Sequence, residues 1–181
     1  MSQIERTMKS DKIYEGRILT LKVDTVEMEG KKYTKREIIE HPPVVCVIAI
    51  TDEGNILLVK QYRKAVDREL IELPAGFIEI DEEPKSAAIR ETCEETGFYP
   101  HKCEYVSEFY TSPGFSNEKV YFFMARDLEK REQNLDEFED ISFEEVSLER
   151  ALELIDLGDI IDAKTISGIL LYERIKNRSG K

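Results

Sequence analysis

The sequence predicts an α/β chain: a layered α/β/α domain on a mixed sheet, preceded by a small antiparallel β unit. Three observations carry this. Residues 18–41 largely alternate apolar and polar positions, the pattern of half-buried strands. Residues 44–50, VVCVIAI, form a continuous apolar run, the pattern of a strand covered on both faces. The signals that follow run in the order strand, helix, strands, two helices. The expected division is a β unit over residues 1–42 and a main domain over 43–181.

Each element has a local reason. Within 18–41, Glu29 and Gly30 fit a hairpin turn, so the stretch reads as two or three strands. Tyr14, Ile18, Leu19 and Leu21 read as packing residues of this unit. His41, Pro42 and Pro43 break the pattern and form a short linker. After residues 44–50, a turn at 52–55 returns residues 55–63 as the expected partner strand. Residues 69–80, ELIELPAGFIEI, are extended, with Pro74, Ala75 and Gly76 in the middle. Pro84 suits a first helical position and Gly97 a left-handed cap, so a helix lies between them. Residues 102–114 and 119–128 read as two strands around a loop at 112–117. Residues 130–140 form an acidic loop, and 142–146 a short strand. Ser147 caps a helix that Gly158 ends, and residues 163–176 make a second amphipathic helix.

Composition removes several function classes. The 181 residues suffice for one domain with a sizeable core. A net charge of −12 argues against a general binder of nucleic acid or anionic membrane, which needs a basic face. No apolar run approaches the roughly 20 residues that span a bilayer, and residues 1–12 lack a signal-peptide core. The three cysteines, Cys46, Cys93 and Cys103, have no metal-pair spacing and read as reduced, mostly buried thiols. The expected location is cytoplasmic. His41 and His101 sit in loop-like segments and carry no assigned role.

The chemistry concentrates in residues 76–98, GFIEIDEEPKSAAIRETCEETGF. Glu91, Glu94 and Glu95 fall on one helical stripe, where like charges repel. An acidic helix face is ordinarily a solvated one. Carboxylate oxygens are also what hard cations such as Mg²⁺ and Mn²⁺ prefer. Ile89 and Cys93 point roughly opposite the stripe, with Thr92 on its flank.

The spacing decides between these readings. Gly76 is followed by five residues, then Glu82, seven residues, and Arg90-Glu91-Thr92-Cys93-Glu94-Glu95-Thr96-Gly97-Phe98. This resembles the signature of the Nudix hydrolases at every charged and glycine position. Thr92 departs from it, standing where an aliphatic residue is usual, which touches stability more than chemistry. The resemblance implies a Nudix-type α/β/α sandwich and metal-assisted attack of water on a nucleoside diphosphate linked to another group. It implies that Glu91 and Glu95 are core metal ligands, that Glu94 assists, and that the backbone carbonyl of Ala75 completes the coordination. Glu82 and Arg90 would pair across the loop and helix, with Arg90 chiefly structural. Mg²⁺ is the expected cofactor, with Mn²⁺ a substitute.

Features outside the signature resemble the ADP-ribose pyrophosphatase branch. These are Pro113, 16 residues after Gly97, the segment QYR…IELPAGF, and the N-terminal β unit. The resemblance implies hydrolysis of ADP-ribose to AMP and ribose 5-phosphate. Arg63 would contact phosphate or ribose, and Glu72 the substrate or metal shell. Gly114, Phe115, Ser116 and Glu118 would line the pocket with Pro113. An acidic loop supplies the base in this branch: Glu137 is the matching residue, Glu139 an extra metal ligand, and Asp136 and Asp140 the fallback choices. The N-terminal unit would exchange between the subunits of a homodimer, with Arg36 and Glu37 near the shared pocket. Read without the resemblance, that pair is two exposed strand charges and the 130–140 loop is a solvated one. Rival functions are a Nudix pyrophosphatase for sugar nucleotides or flavin dinucleotide, and a non-catalytic ADP-ribose sensor. Sensors of that kind usually lose signature carboxylates, and this chain keeps all of them.

Overall fold

The computed structural model describes residues 4–135, 137 and 139–179. Asp136, a fallback choice for the base, lies outside the described residues. The chain divides into two compact units: residues 1–43 with 110–119, and residues 44–109 with 120–181.

In the first unit, β1 (Arg6–Glu15), β2 (Thr20–Met28) and β3 (Lys32–Glu40) form an antiparallel sheet in that order. The alternation that marks β2 and β3 starts too late to reveal β1. Nearly every residue of β1 is exposed, so it carries no apolar alternation. Tyr14 and Ile18 are 59% and 51% exposed, so among the described residues they are only partly covered. They belong to an edge strand and the turn after it. Leu19 and Leu21 are half-buried. The segment 110–119 joins this unit through Ile39, whose N–H donates to Phe115 O at 2.7 Å and whose carbonyl accepts from Asn117 N at 3.2 Å.

The second unit is a three-layer α/β/α sandwich. Its mixed sheet has the order β7 (Ala75–Phe77), β4 (Val44–Ala49), β9 (Lys119–Lys130) and β8 (Phe98–Tyr110). β4 runs parallel to β9 and antiparallel to β7. Every residue of β4 is buried, as its unbroken apolar sequence requires. Its alternate side chains serve two cores. Cys46 and Ile48 pack with Phe122, Leu154 and Ile169, toward α2 (Leu148–Leu157) and α3 (Ala163–Ser179). Val45 and Val47 pack with Ala87, Ala88 and Phe123, toward α1 (Pro84–Thr96). Each fully buried large side chain of this kind contributes roughly 1.5–3 kcal/mol.

The return strand after the 52–55 turn does not pair with β4 as expected. β5 (Ile56–Arg63) instead lies between β10 (Ile141–Val146) and β6 (Arg68–Glu72) in a separate antiparallel sheet. Among the described residues an isolated bridge, Ile50–Ile56, joins the residue after β4 to the start of β5. The extended segment 69–80 then changes sheets at Leu73 and Pro74, passing from β6 to β7.

α1 begins at Pro84 and ends at Gly97, which adopts a left-handed conformation (φ 71°) and donates its N–H to Cys93 O. The buried face of α1 is formed by Ala87, Ala88, Thr92, Glu95 and Thr96, with Ile89 and Cys93 half-buried. Small Ala87 and Ala88 let the helix approach the sheet, and Ala75 N–H then draws Glu95 inward with a 2.9 Å bond to Oε2. Thr92 is fully buried, and its Oγ1 donates to Ala88 O at 2.7 Å. Ser147 Oγ caps α2 by accepting from Arg150 N–H. Among the described residues no helix is long and apolar enough to cross a membrane.

Candidate active site

Arg90, on the exposed flank of α1, organises the site. Nε and Nη2 bond the two oxygens of Glu82, each at 3.0 Å. Nη1 donates to Glu91 Oε1 at 2.7 Å and to Glu94 Oε2 at 2.9 Å, and Nη2 also donates to Phe77 O at 2.9 Å. All five guanidinium N–H donors are thereby used. Glu82 also accepts from Glu79 N–H, so the turn before α1 is tied to the helix through one side chain. The hydrogen bonds to Arg90 hold the Glu82 carboxyl below its ordinary range.

The glutamate stripe faces a cleft of about 230 Å³ whose lining includes Gln61, Arg63, Gly76, Phe77, Glu91 and Glu95. Gly76 makes room for Glu91: a Cβ at that position would lie 2.0 Å from the Glu91 carboxyl carbon. Burial pushes Glu91 up to about 7, with Arg90 opposing the shift. Burial also pushes Glu95 up to about 8, against the bond from Ala75 N–H. Two carboxylates held this way disfavour their own charge, which a bound cation reverses.

The donor set fits a hard divalent cation. It consists of carboxylate oxygens along the cleft, with the Glu91 carboxylate seated in the room that Gly76 leaves by lacking a Cβ. As they stand, no three His, Cys, Asp or Glu side chains among the described residues converge on one point. The reason is local: Glu91 and Glu94 lean onto Arg90, while Glu95 leans onto Ala75 N–H.

The other expected residues divide by where the chain places them. Arg63 lines the cleft, and so does Glu139, whose charge acts on both Glu91 and Glu95. Glu137 and Asp140 are exposed and do not line it. Glu72 is fully buried, with its oxygens engaged by Arg63 (2.8 Å each) and Lys164. In the other unit, Arg36 pairs with Glu5, and the neighbouring Glu37 is exposed. Pro113, Gly114, Phe115, Ser116 and Glu118 lie in the segment anchored on Ile39. Glu118 accepts from Thr111 Oγ1 and stands 3.4 Å from His41 Nδ1.

Several participants gave no signal in the sequence. Gln61 and Glu79 line the cleft from β5 and the turn before α1. Lys164 reaches Glu72 from the start of α3 and is itself paired with Asp162. Gln133 Nε2 donates to Glu95 O at 2.5 Å and Ile141 O at 3.0 Å, and Asn134 N–H to Glu94 O at 3.2 Å. These bonds moor the start of the acidic loop on the Glu94 and Glu95 carbonyls at the end of α1, which lack helical partners, and on the first carbonyl of β10.

Comparison with known proteins agrees with this geometry. A family model of the NUDIX domain matches residues 40–167. The chain is 45% identical over 169 residues to the ADP-ribose pyrophosphatase of Bacillus subtilis (strain 168), covering 91% of this chain and 90% of that protein. It is 40% identical over 179 residues to the methanol dehydrogenase activator of Bacillus methanolicus, covering 96% and 97%. Among solved structures, one described as an ADP compounds hydrolase matches with a TM-score of 0.88 over 97% of this chain and 96% of that one. At 20% identity that likeness shows the fold. The chain belongs to the NUDIX domain family and is a Nudix hydrolase.

Proposed function

We propose that the chain is a Mg²⁺-dependent ADP-ribose pyrophosphatase that releases AMP and ribose 5-phosphate. One observation carries the reading. The cleft joins a carboxylate floor of Glu91 and Glu95 to a guanidinium wall at Arg63, in a chain 45% identical to an ADP-ribose pyrophosphatase. A diphosphate needs both halves: cation sites for its oxygens and a fixed donor for its orientation.

Glu91, Glu95, Glu139 and the Ala75 carbonyl would hold the metal, with Mg²⁺ the first choice and Mn²⁺ a substitute. When bound, the metal supplies charge neutralisation at the phosphates and a more acidic water. Arg90 keeps Glu91 and Glu94 in place while Glu82 anchors the turn before the helix. Arg63 binds a phosphate oxygen. Glu137, on the acidic loop, would take a proton from the attacking water as its oxygen bonds to one phosphorus and the bridging P–O bond breaks, the other phosphate leaving with its sugar. Arg36, Glu37 and residues 113–118 would contact the adenosine or ribose end.

The proposed setting is a cytoplasmic homodimer in which the N-terminal unit, residues 1–42, is exchanged between subunits. Exposed Met8, Ile13, Tyr14 and Ile18 in that unit support a partner surface. No nucleic acid or membrane partner is proposed, in keeping with the net charge of −12. The test is a substrate panel with product identification. AMP release from ADP-ribose and Mg²⁺ is expected. No release, beside rapid hydrolysis of a sugar nucleotide or flavin dinucleotide, would move the substrate; tight binding without hydrolysis would favour a sensor.

A further inference from the structure

Behind the cleft wall lies a buried ionic network outside the carboxylate site. Arg63 approaches Glu72 side-on: Nε meets Oε1 and Nη2 meets Oε2, each at 2.8 Å. Lys164 Nζ bonds the same Oε2 and stands 3.0 Å from Asp162 Oδ1. Asp162 is held in turn, its Oδ2 accepting from Thr165 N–H at 2.9 Å and Thr165 Oγ1 at 2.6 Å. Thr165 Oγ1 accepts from Leu73 N–H at 2.9 Å, which keys the first turn of α3 onto the residue after Glu72. Glu72 is 1% exposed and the Lys164 side chain 18%.

Buried ion networks are weak sources of stability, because desolvation offsets most of the attraction. This network has a geometric product instead. Side-on pairing occupies Nε and Nη2, and Nη1 has no hydrogen-bond partner among the described residues. Arg63 is the member of the network that lines the cleft. An arginine otherwise free to rotate is thus fixed with one donor group unspent.

We infer that Glu72 and Lys164 are positioning residues that aim Arg63 Nη1 at a phosphate oxygen of the substrate. Lys164 fixes the Glu72 carboxylate from behind, and Glu72 fixes Arg63. Neither touches the substrate. This inference rests on the ADP-ribose reading only for the choice of ligand.

A double-mutant cycle on the full chain tests it, using Lys164→Met, Arg63→Ala and the pair. KM for ADP-ribose with Mg²⁺ is read together with calorimetric binding of its α,β-methylene analogue. Lys164→Met should raise KM and weaken analogue binding by about tenfold, the scale of one charge-assisted hydrogen bond, with kcat within about twofold. In the Arg63→Ala background the same change should have no further effect. Lys164→Arg should recover most of the binding. Additive effects, or a loss in kcat alone, would overturn the inference. If Lys164→Met fails to fold, Glu72→Gln enters the same cycle with the same expectation. Should the wild-type chain not turn over ADP-ribose, the substrate reading fails separately. The cycle is then read by binding of magnesium pyrophosphate, and equal affinity for wild type and Lys164→Met would refute the positioning role.

Discussion

Gly76 and Glu91 lie so close that a Cβ on the glycine would sit 2.0 Å from both the carboxyl carbon and Oε1 of the glutamate. The strand β7 and the helix α1 therefore meet at a point where only a hydrogen atom fits. Gly76 is required for this approach and for no unusual backbone angle, since its φ is not positive. Gly76→Ala should displace the Glu91 carboxylate and lower kcat/KM for ADP-ribose by about a hundredfold or more, as misplacement of a catalytic group does. Wild-type activity in that variant would mean that Glu91 is not held where the chemistry needs it.

The raised Glu91 and Glu95 predict a pH dependence of the metal-free protein. Both groups bind protons more tightly when folded, so their contribution to stability is complete below the ordinary glutamate range. It is lost as pH rises through about 7 for Glu91 and about 8 for Glu95. In EDTA, Tm should fall from pH 5 to pH 8.5, and Glu95→Gln should flatten that slope. Mg²⁺ should restore more stability at pH 8 than at pH 6, because metal and protons compete for the same oxygens. Thermal scans at both pH values, with and without metal, check this.

Arg90→Lys keeps the charge but loses the fork that meets Glu82 through two nitrogens while holding Glu91, Glu94 and Phe77 O. It should destabilise the fold by about 1–3 kcal/mol and lower kcat by tenfold or more. Urea unfolding beside steady-state kinetics separates the two effects.

Gln133→Leu removes the amide that bridges Glu95 O and Ile141 O. The acidic loop carrying Glu139 then loses one of its moorings. The expected outcome is a kcat reduced by about tenfold and weaker Mn²⁺ affinity by calorimetry, with an unfolding free energy lower by about 1–2 kcal/mol. Thr92→Val, by contrast, removes a buried hydroxyl together with its bond. It should change stability by less than about 1 kcal/mol and leave turnover unchanged.

What could be read in advance follows from separation along the chain. Gly76, Glu82, Arg90, Glu91 and Glu95 lie within one short strand, the loop after it and one helix, so spacing alone brings them together. The apolar run of β4 likewise announces a strand with two covered faces. Periodicity was silent where pairing is long-range. It offered residues 55–63 as the neighbour of β4, but β5 pairs with residues 141–146 instead. The resemblance gave Glu72 as a substrate or metal-shell contact, and nothing local shows that Lys164, 92 residues later, bonds an oxygen of its carboxylate. Tyr14 and Ile18 read as packing residues because an apolar side chain in a sequence does not say which chain covers it.

The most direct test of the carboxylate platform is AMP release from ADP-ribose and Mg²⁺ by Glu95→Gln, with circular dichroism and Tm on the same sample. The side chain keeps its size and the acceptor for Ala75 N–H while losing its charge. A folded protein with activity near background is expected. Full activity in a folded Glu95→Gln would remove Glu95 from the metal platform.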